Sequence, residues 1–191
     1  MLEITKSLFT RRSLAVGVAI VLIYGGLVIL EGRPGWRKYG LGLWSGAWTH
    51  CTSQNFLDPY SFSHALHGII FYWVLRWLCP RMELHWRLIA ALALEIGWEL
   101  LENSPWVIER YRQQTASLDY TGDSILNSMG DVLSTIVGFY FAARVSWQVA
   151  VMAFVVIELA LLYFVRDNLT LNVVMLFWPL DAIKQWQMQG V

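Results

Sequence analysis

The sequence predicts an all-α fold: a polytopic transmembrane helical bundle with about five spans and a C-terminal re-entrant or interfacial segment. Composition points there first. The 191 residues are 57% hydrophobic and 15% charged, against roughly 45–50% apolar and about 25% charged in soluble domains. So few charges cannot coat a globule of this size. Apolar stretches near the spanning length of about 20 residues recur along the chain. The 11 Trp and 8 Tyr suit the headgroup level, where amphipathic rings gather.

The first stretch, Ser13–Leu30, follows Lys6, Arg11 and Arg12, as a signal peptide's apolar region would. It lacks a small-x-small cleavage site and is read as an uncleaved span. Further spans are expected at Ser61–Cys79, Trp86–Asn103, Asp123–Ala143 and Trp147–Val165. The connector from Glu31 to Tyr60 mixes glycines with Trp36, Tyr39, Trp44 and Trp48, which suggests a loop lying on the membrane surface. Ser104 caps and Pro105 opens a short surface helix running to Gln114, because the missing proline N–H is harmless at the first helical position. Thr121 to Ser124 supplies turn and capping residues before the fourth span. Leu169–Trp186 is too short to cross in one helix and is broken at Pro179, hence the re-entrant reading. The whole chain, residues 1–191, is expected to form a single integral membrane domain.

Lys plus Arg equals Asp plus Glu, 14 each, and no basic run exceeds Arg11-Arg12. That leaves no electrostatic footprint for nucleic acid. The expected partners are membrane lipids and a lipid-like substrate; the sequence names no protein partner. The basic N-terminus and the Arg76-Arg81-Arg87 group place the N-terminus in the cytoplasm under the positive-inside rule, although charge asymmetry is slight. Cys51 and Cys79 then lie at opposite faces and are expected to stay unpaired.

The chemistry concentrates in three helices. His64 and His67 share one face near the start of the second span. Glu95, Glu99 and Glu102 form a stripe in the last half of the third. Asp123, Asn127 and Asp131 form another in the first half of the fourth. Because consecutive spans alternate in direction, these three ends meet at one membrane face. At 1.5 Å per residue, Glu95 and Asp131 lie about 12 Å deep, Glu99 and Asn127 about 6 Å, and the histidines between about 4 and 9 Å. Intramembrane charges need partners. No Lys or Arg is expected at this depth, Arg76 lying near the opposite face. Protonated carboxylates, charged histidines or a bound cation are then left to balance the acids.

These residue types suit a divalent metal, zinc, manganese or iron, held by His64, His67, Glu99, Glu102 and Asp123. Glu95, Glu99, Glu102, Asn127 and Asp131 are the candidate catalytic or proton-handling groups. Arg110 and Arg112 are candidates for gripping a lipid phosphate. Neither His-Glu-x-x-His nor the Glu-x-x-His of di-iron bundles is present. A hydrogen-bond network that fastens helices is the structural alternative, and a small proton-coupled carrier using Glu95, Asp131 and Glu158 is a third. His50 and His85 are expected in loops, exposed to water.

Four motifs carry a family resemblance. Asp58-Pro-Tyr-Ser-Phe-Ser-His64-Ala-Leu-His67, Glu95-Ile-Gly-Trp-Glu99-Leu-Leu-Glu102-Asn-Ser-Pro105, Ser117-Leu-Asp119-Tyr-Thr-Gly-Asp123-Ser-Ile-Leu-Asn127 and Arg166-Asp-Asn-Leu-Thr-Leu-Asn172 resemble the UPF0314 (DUF2585) family of bacterial inner-membrane proteins. The resemblance runs from about Leu43 to Trp186 and implies a multi-pass protein of the bacterial inner membrane. It implies no reaction. The chain departs at Trp36–Gly40, where that family carries Cys-x-Cys-Gly, so no role of those cysteines carries over. The His, Glu and Asp pattern is also distantly similar to VanZ-type membrane proteins, a likeness at the level of fold alone.

Overall fold

The computed structural model describes residues 10–33, 42–49, 51–116 and 120–189. Trp36–Gly40, His50 and Ser117–Asp119 lie outside the described residues. Among those described there are eight helices and no strand: α1 (Arg11–Leu30), α2 (Ser61–Leu78), α3 (Leu84–Glu102), α4 (Pro105–Gln114), α5 (Ile125–Arg144), α6 (Trp147–Val165), α7 (Leu169–Phe177) and α8 (Asp181–Met188). The five long helices begin and end within two residues of the expected stretches.

Local chemistry sets the boundaries. Thr10 and Ser13 form a reciprocal capping box on α1, which satisfies N–H groups that lack intrahelical partners. The Ser104 hydroxyl accepts from Val107 N at the start of α4, with Pro105 in the first turn. Ser124 caps α5, Ser146 caps α6 and Asn168 caps α7. Asp123 therefore precedes α5 instead of riding on it. Trp178-Pro179-Leu180 separates α7 from α8, so the C-terminal segment is two short helices.

Among the described residues three helices, α1, α5 and α6, are both long and apolar enough to cross a membrane. Three of the five expected spans meet that combined standard, and the count of about five is not confirmed by it. At 18 and 19 residues α2 and α3 have the length, but they carry the histidines and glutamates. Leu22 and Ile29 of α1, and Val151, Met152 and Val156 of α6, turn outward and are exposed.

The core lies between α2 and α5, with α3 and α6 on their flanks and α1 against α3. Leu66, Ile69 and Tyr72 of α2 meet Phe139 and Ala142 of α5, Leu88 and Ala91 of α3 and Ala150 of α6. The backbones of α2 and α5 touch where glycine leaves room. A methyl group at Gly138 would collide with the Ala65 carbonyl, and one at Gly68 with that of Thr135. Small residues permit such approach between helices, where van der Waals packing replaces a hydrophobic drive. The Thr135 hydroxyl uses the proximity to donate to the His64 carbonyl at 2.9 Å.

The connector before α2 differs from the expected surface loop. Ser53, Gln54 and Asp58 are buried; Ser124 N donates to Ser53 O, and the Ser124 hydroxyl to Gln54 O. This segment is built into the polar end of the bundle. His85 is also unlike its expected loop position: it lies buried in the first turn of α3, with Nε2 3.2 Å from the Glu83 carboxylate.

Replacing Gly138 with Ala should lower the thermal midpoint in detergent, by the equivalent of about 1–3 kcal/mol or more, because the added carbon meets backbone that cannot give way. Gly97, a mid-helix glycine on α3, has open space around it. Gly97→Ala should leave the midpoint unchanged or raise it.

Candidate functional site

The depth matching expected from the helices brings His64 to the centre of the polar end. Its Nδ1 lies 2.5 Å from Glu95 Oε1, while His67 Nδ1 lies 3.0 Å from the other Glu95 oxygen. A carboxylate only accepts, so the two imidazoles both donate to it. His64 Nδ1 is also 3.6 Å from Glu99 Oε1, and its Nε2 is 3.9 Å from Asp131 Oδ2. Asp131 accepts from the Ser61 hydroxyl at 2.6 Å. Glu95, Glu99 and Asp131 are almost wholly buried. His67 packs its ring against Phe71 and Trp98.

One expectation is overturned at this point: a cation does reach the acids. The side chain of Arg33, from the segment following α1, is buried, with Nη2 3.9 Å from Glu99 Oε2. Its Nε donates to the Asp123 carbonyl at 3.3 Å and its Nη2 to the Ser128 hydroxyl. Helical depth counting omits it because a loop residue delivers the charge.

The remaining acids divide by what they hold. Asp123 Oδ1 accepts from the Tyr120 hydroxyl at 2.9 Å and its Oδ2 from Asn103 Nδ2 at 2.8 Å. Its carboxylate ties the α3 C-terminus to the α5 entry. Glu158 accepts from Leu169 N at 3.0 Å and Thr170 N at 3.1 Å, an acid at the N-terminus of α7 where the helix dipole favours it. It stands apart from the histidines. Asn127 is buried, its Nδ2 without a hydrogen-bond partner. Both Glu99 oxygens and Glu102 Oε2 are likewise without one.

Two acids missed by the helical stripes complete the polar end. Asp58 accepts from Tyr60 N at 2.7 Å, Ser61 N at 3.2 Å and Ser53 N at 2.9 Å. The Asp58-Pro-Tyr-Ser sequence, an acid just before a helix, was the available signal. Asp167 accepts from the Tyr60 hydroxyl at 3.3 Å and from Asn168 N at 2.9 Å.

A partly open cavity of about 50 Å³ runs between these groups, lined by His64, Glu102, Asp123, Asp131 and Asp167 with Tyr60, Tyr111 and Tyr120. A water needs at least about 10–15 Å³ on this measure, so a few waters or one small polar group fit. Burial holds the hydroxyls of all three tyrosines well above the ordinary range, so they stay donors. Arg110 Nε donates to the Leu176 carbonyl at 3.0 Å and Arg112 Nε to that of Tyr120 at 2.6 Å. These arginines pin α7 and the Tyr120 segment to α4. Asn172 of α7 also lines the cavity, so the C-terminal segment returns to the cluster.

The match to known proteins covers all of these groups. The family model described as "Protein of unknown function (DUF2585)" matches residues 28–189. The chain belongs to the UPF0314 (DUF2585) family. A UPF0314 protein of Sphingopyxis alaskensis is 44% identical over 183 residues, covering 95% of this chain and 97% of its own. One from Brucella anthropi is 42% identical over 171 residues, covering 89% and 87%. One from Rhizobium etli is 49% identical over 146 residues, covering 76% and 75%. No solved structure matches this UPF0314 chain.

Asp167 makes a pH test of the cavity wall. Burial, with Glu158 nearby, pushes its carboxyl up from 3.8 to about 7. The folded state then binds the proton more tightly than the unfolded one, so this contribution to stability is full below about pH 4 and is lost as pH rises through 7. Asp167→Asn cannot ionise. The midpoint of Asp167→Asn minus that of wild type, measured by thermal unfolding in detergent, should grow from pH 4 to pH 8. A constant difference would contradict the buried placement.

Proposed function

We propose that this UPF0314 protein is a multi-pass protein of the bacterial inner membrane. It crosses with α1, α2, α3, α5 and α6 as one domain, and carries out acid/base or metal-assisted chemistry on a lipid-like substrate at the outer face. The observation that carries the reading is the cavity wall: an imidazole, His64, backed by the Glu95 carboxylate and facing Asp131 and Glu102. A histidine held by one carboxylate and opening on a cavity is arranged to move a proton.

In this reading His64 transfers the proton and Glu95 orients it. Glu99, Glu102 and Asp131 are the acids that charge or hold the reacting group, and Asn127 is an orienting amide. The Nε atoms of Arg110 and Arg112 are engaged with backbone and Arg112 Nη1 lies 3.8 Å from Glu109 Oε2; the remaining terminal nitrogens would meet a headgroup phosphate. The outward apolar residues of α1 and α6 support burial in lipid. α2 and α3 cross despite their acids because those acids face the bundle interior.

A second reading has support of its own. Asp58, Asp123 and Glu158 all have carboxylates occupied by hydrogen bonds that join segments. A non-catalytic assembly or accessory protein would need such a network and nothing more. The carrier alternative loses ground because Glu158 is occupied by the start of α7.

A deletion strain separates the two. Complemented with wild type, His64→Asn or Glu95→Gln, each protein should be recovered in the inner-membrane fraction. The lipid extract should be restored by wild type and remain altered with either variant. Restoration by both variants, or an unchanged extract in the deletion strain, favours the accessory role.

A further inference from the structure

The cluster contains two groupings able to close on an ion. In one, His64, His67 and Glu95 bring donor atoms within 4.8 Å of one another; in the other, His64, Glu99 and Glu102 do so. Their internal hydrogen bonding distinguishes them. In the first, each Glu95 oxygen already accepts from an imidazole, at 2.5 and 3.0 Å. That grouping is satisfied without an ion.

The second is not. Glu99 is fully buried and neither of its oxygens has a hydrogen-bond partner. The nearest basic nitrogens, of His64 and Arg33, stand off at 3.6 and 3.9 Å. Glu102 Oε2 is likewise buried and unbonded. A buried carboxylate without donors is strongly unfavourable. Arg33 does not hydrogen-bond to Glu99: its Nε and Nη2 donate to the Asp123 carbonyl and the Ser128 hydroxyl, and its Nη1, buried without a hydrogen-bond partner, lies 3.8 Å from Glu31 Oε2.

We propose that His64 through its Nε2, together with Glu99 and Glu102, forms a divalent-cation site, with Glu95 on Nδ1 as the outer partner that aligns the His64 ring. This deepens the functional reading above and rests on it for the use of the ion. One imidazole with two carboxylates is a donor set for zinc, manganese or iron. Ligands about 2.0–2.2 Å from a tetrahedral ion lie about 3.4 Å apart, a contraction within reach of side-chain rotation from the present spacing. A carboxylate behind a ligating histidine is a recurrent device that fixes its tautomer. Two glutamates balance the charge of the ion.

The test uses full-length protein in detergent, purified without chelator, then stripped and titrated separately with zinc, manganese and ferrous iron. Elemental analysis should give about one ion per chain for at least one metal, with a matching rise in the thermal midpoint. Glu99→Gln and Glu102→Gln should each abolish both effects. His67→Gln, at a residue whose hydrogen bond goes to Glu95, should weaken binding by no more than the roughly 10–100-fold of an outer partner. If one glutamine variant fails to fold, the other and His67→Gln still decide. No saturable ion in wild type overturns the proposal and leaves acid/base chemistry standing, which the lipid extracts test separately. Loss in His67→Gln with retention in Glu99→Gln overturns it in favour of the Glu95 grouping.

Discussion

The structure depends on one contact: the buried Glu95 carboxylate held between the Nδ1 atoms of His64 and His67. An acid with no access to water is tolerated only with donors or a counter-charge. Here they come from a single face of α2. That sets how α2 and α3 align, and His64 is then in place to approach Glu99 and Asp131. α5 is fixed against the same helix by backbone contact at Gly68 and Gly138, with Thr135 donating to the His64 carbonyl. Three helices thus converge on one imidazole.

Around that centre the acids do different work. Asp58, Asp123 and Glu158 each join two segments, their oxygens taken by backbone N–H, hydroxyl or amide donors. Removing such a group leaves donors unmatched. Glu99 and Glu102 retain unbonded oxygens beside the cavity. The division follows from hydrogen-bond satisfaction, a property that residue type and spacing do not carry.

What was legible in the sequence was what helical geometry determines. Helices of about 20 residues, the Ser104-Pro105 start and the break at Pro179 follow from length, capping and proline chemistry. The stripes of α2, α3 and α5 follow from a period of 3.6 residues, and equal depth brought His64 to Glu95 and Asp131. Loop-borne contacts were invisible. Arg33 meets Ser128 and Asp123, and Tyr60 meets Asp167, across separations of 95, 90 and 107 residues. No local pattern encodes such pairings. His85 was misplaced because an apolar run alone put the start of α3 two residues late. The polar content that defines the cluster also keeps α2 and α3, read as spans in the sequence, outside the helices that are both long and apolar enough to cross a membrane.

The central claim is that Glu95 and His64 act on each other, and a double-mutant cycle in lipid nanodiscs tests it most directly. The unfolding free energies of His64→Gln, Glu95→Gln and the double variant, taken at one pH with chelator present, give the coupling between them. A charge-assisted buried hydrogen bond predicts non-additivity of at least about 1 kcal/mol, the double variant losing less than the sum of the singles. Additive losses would contradict the account and dissolve the contact on which α2, α3 and the candidate site are aligned.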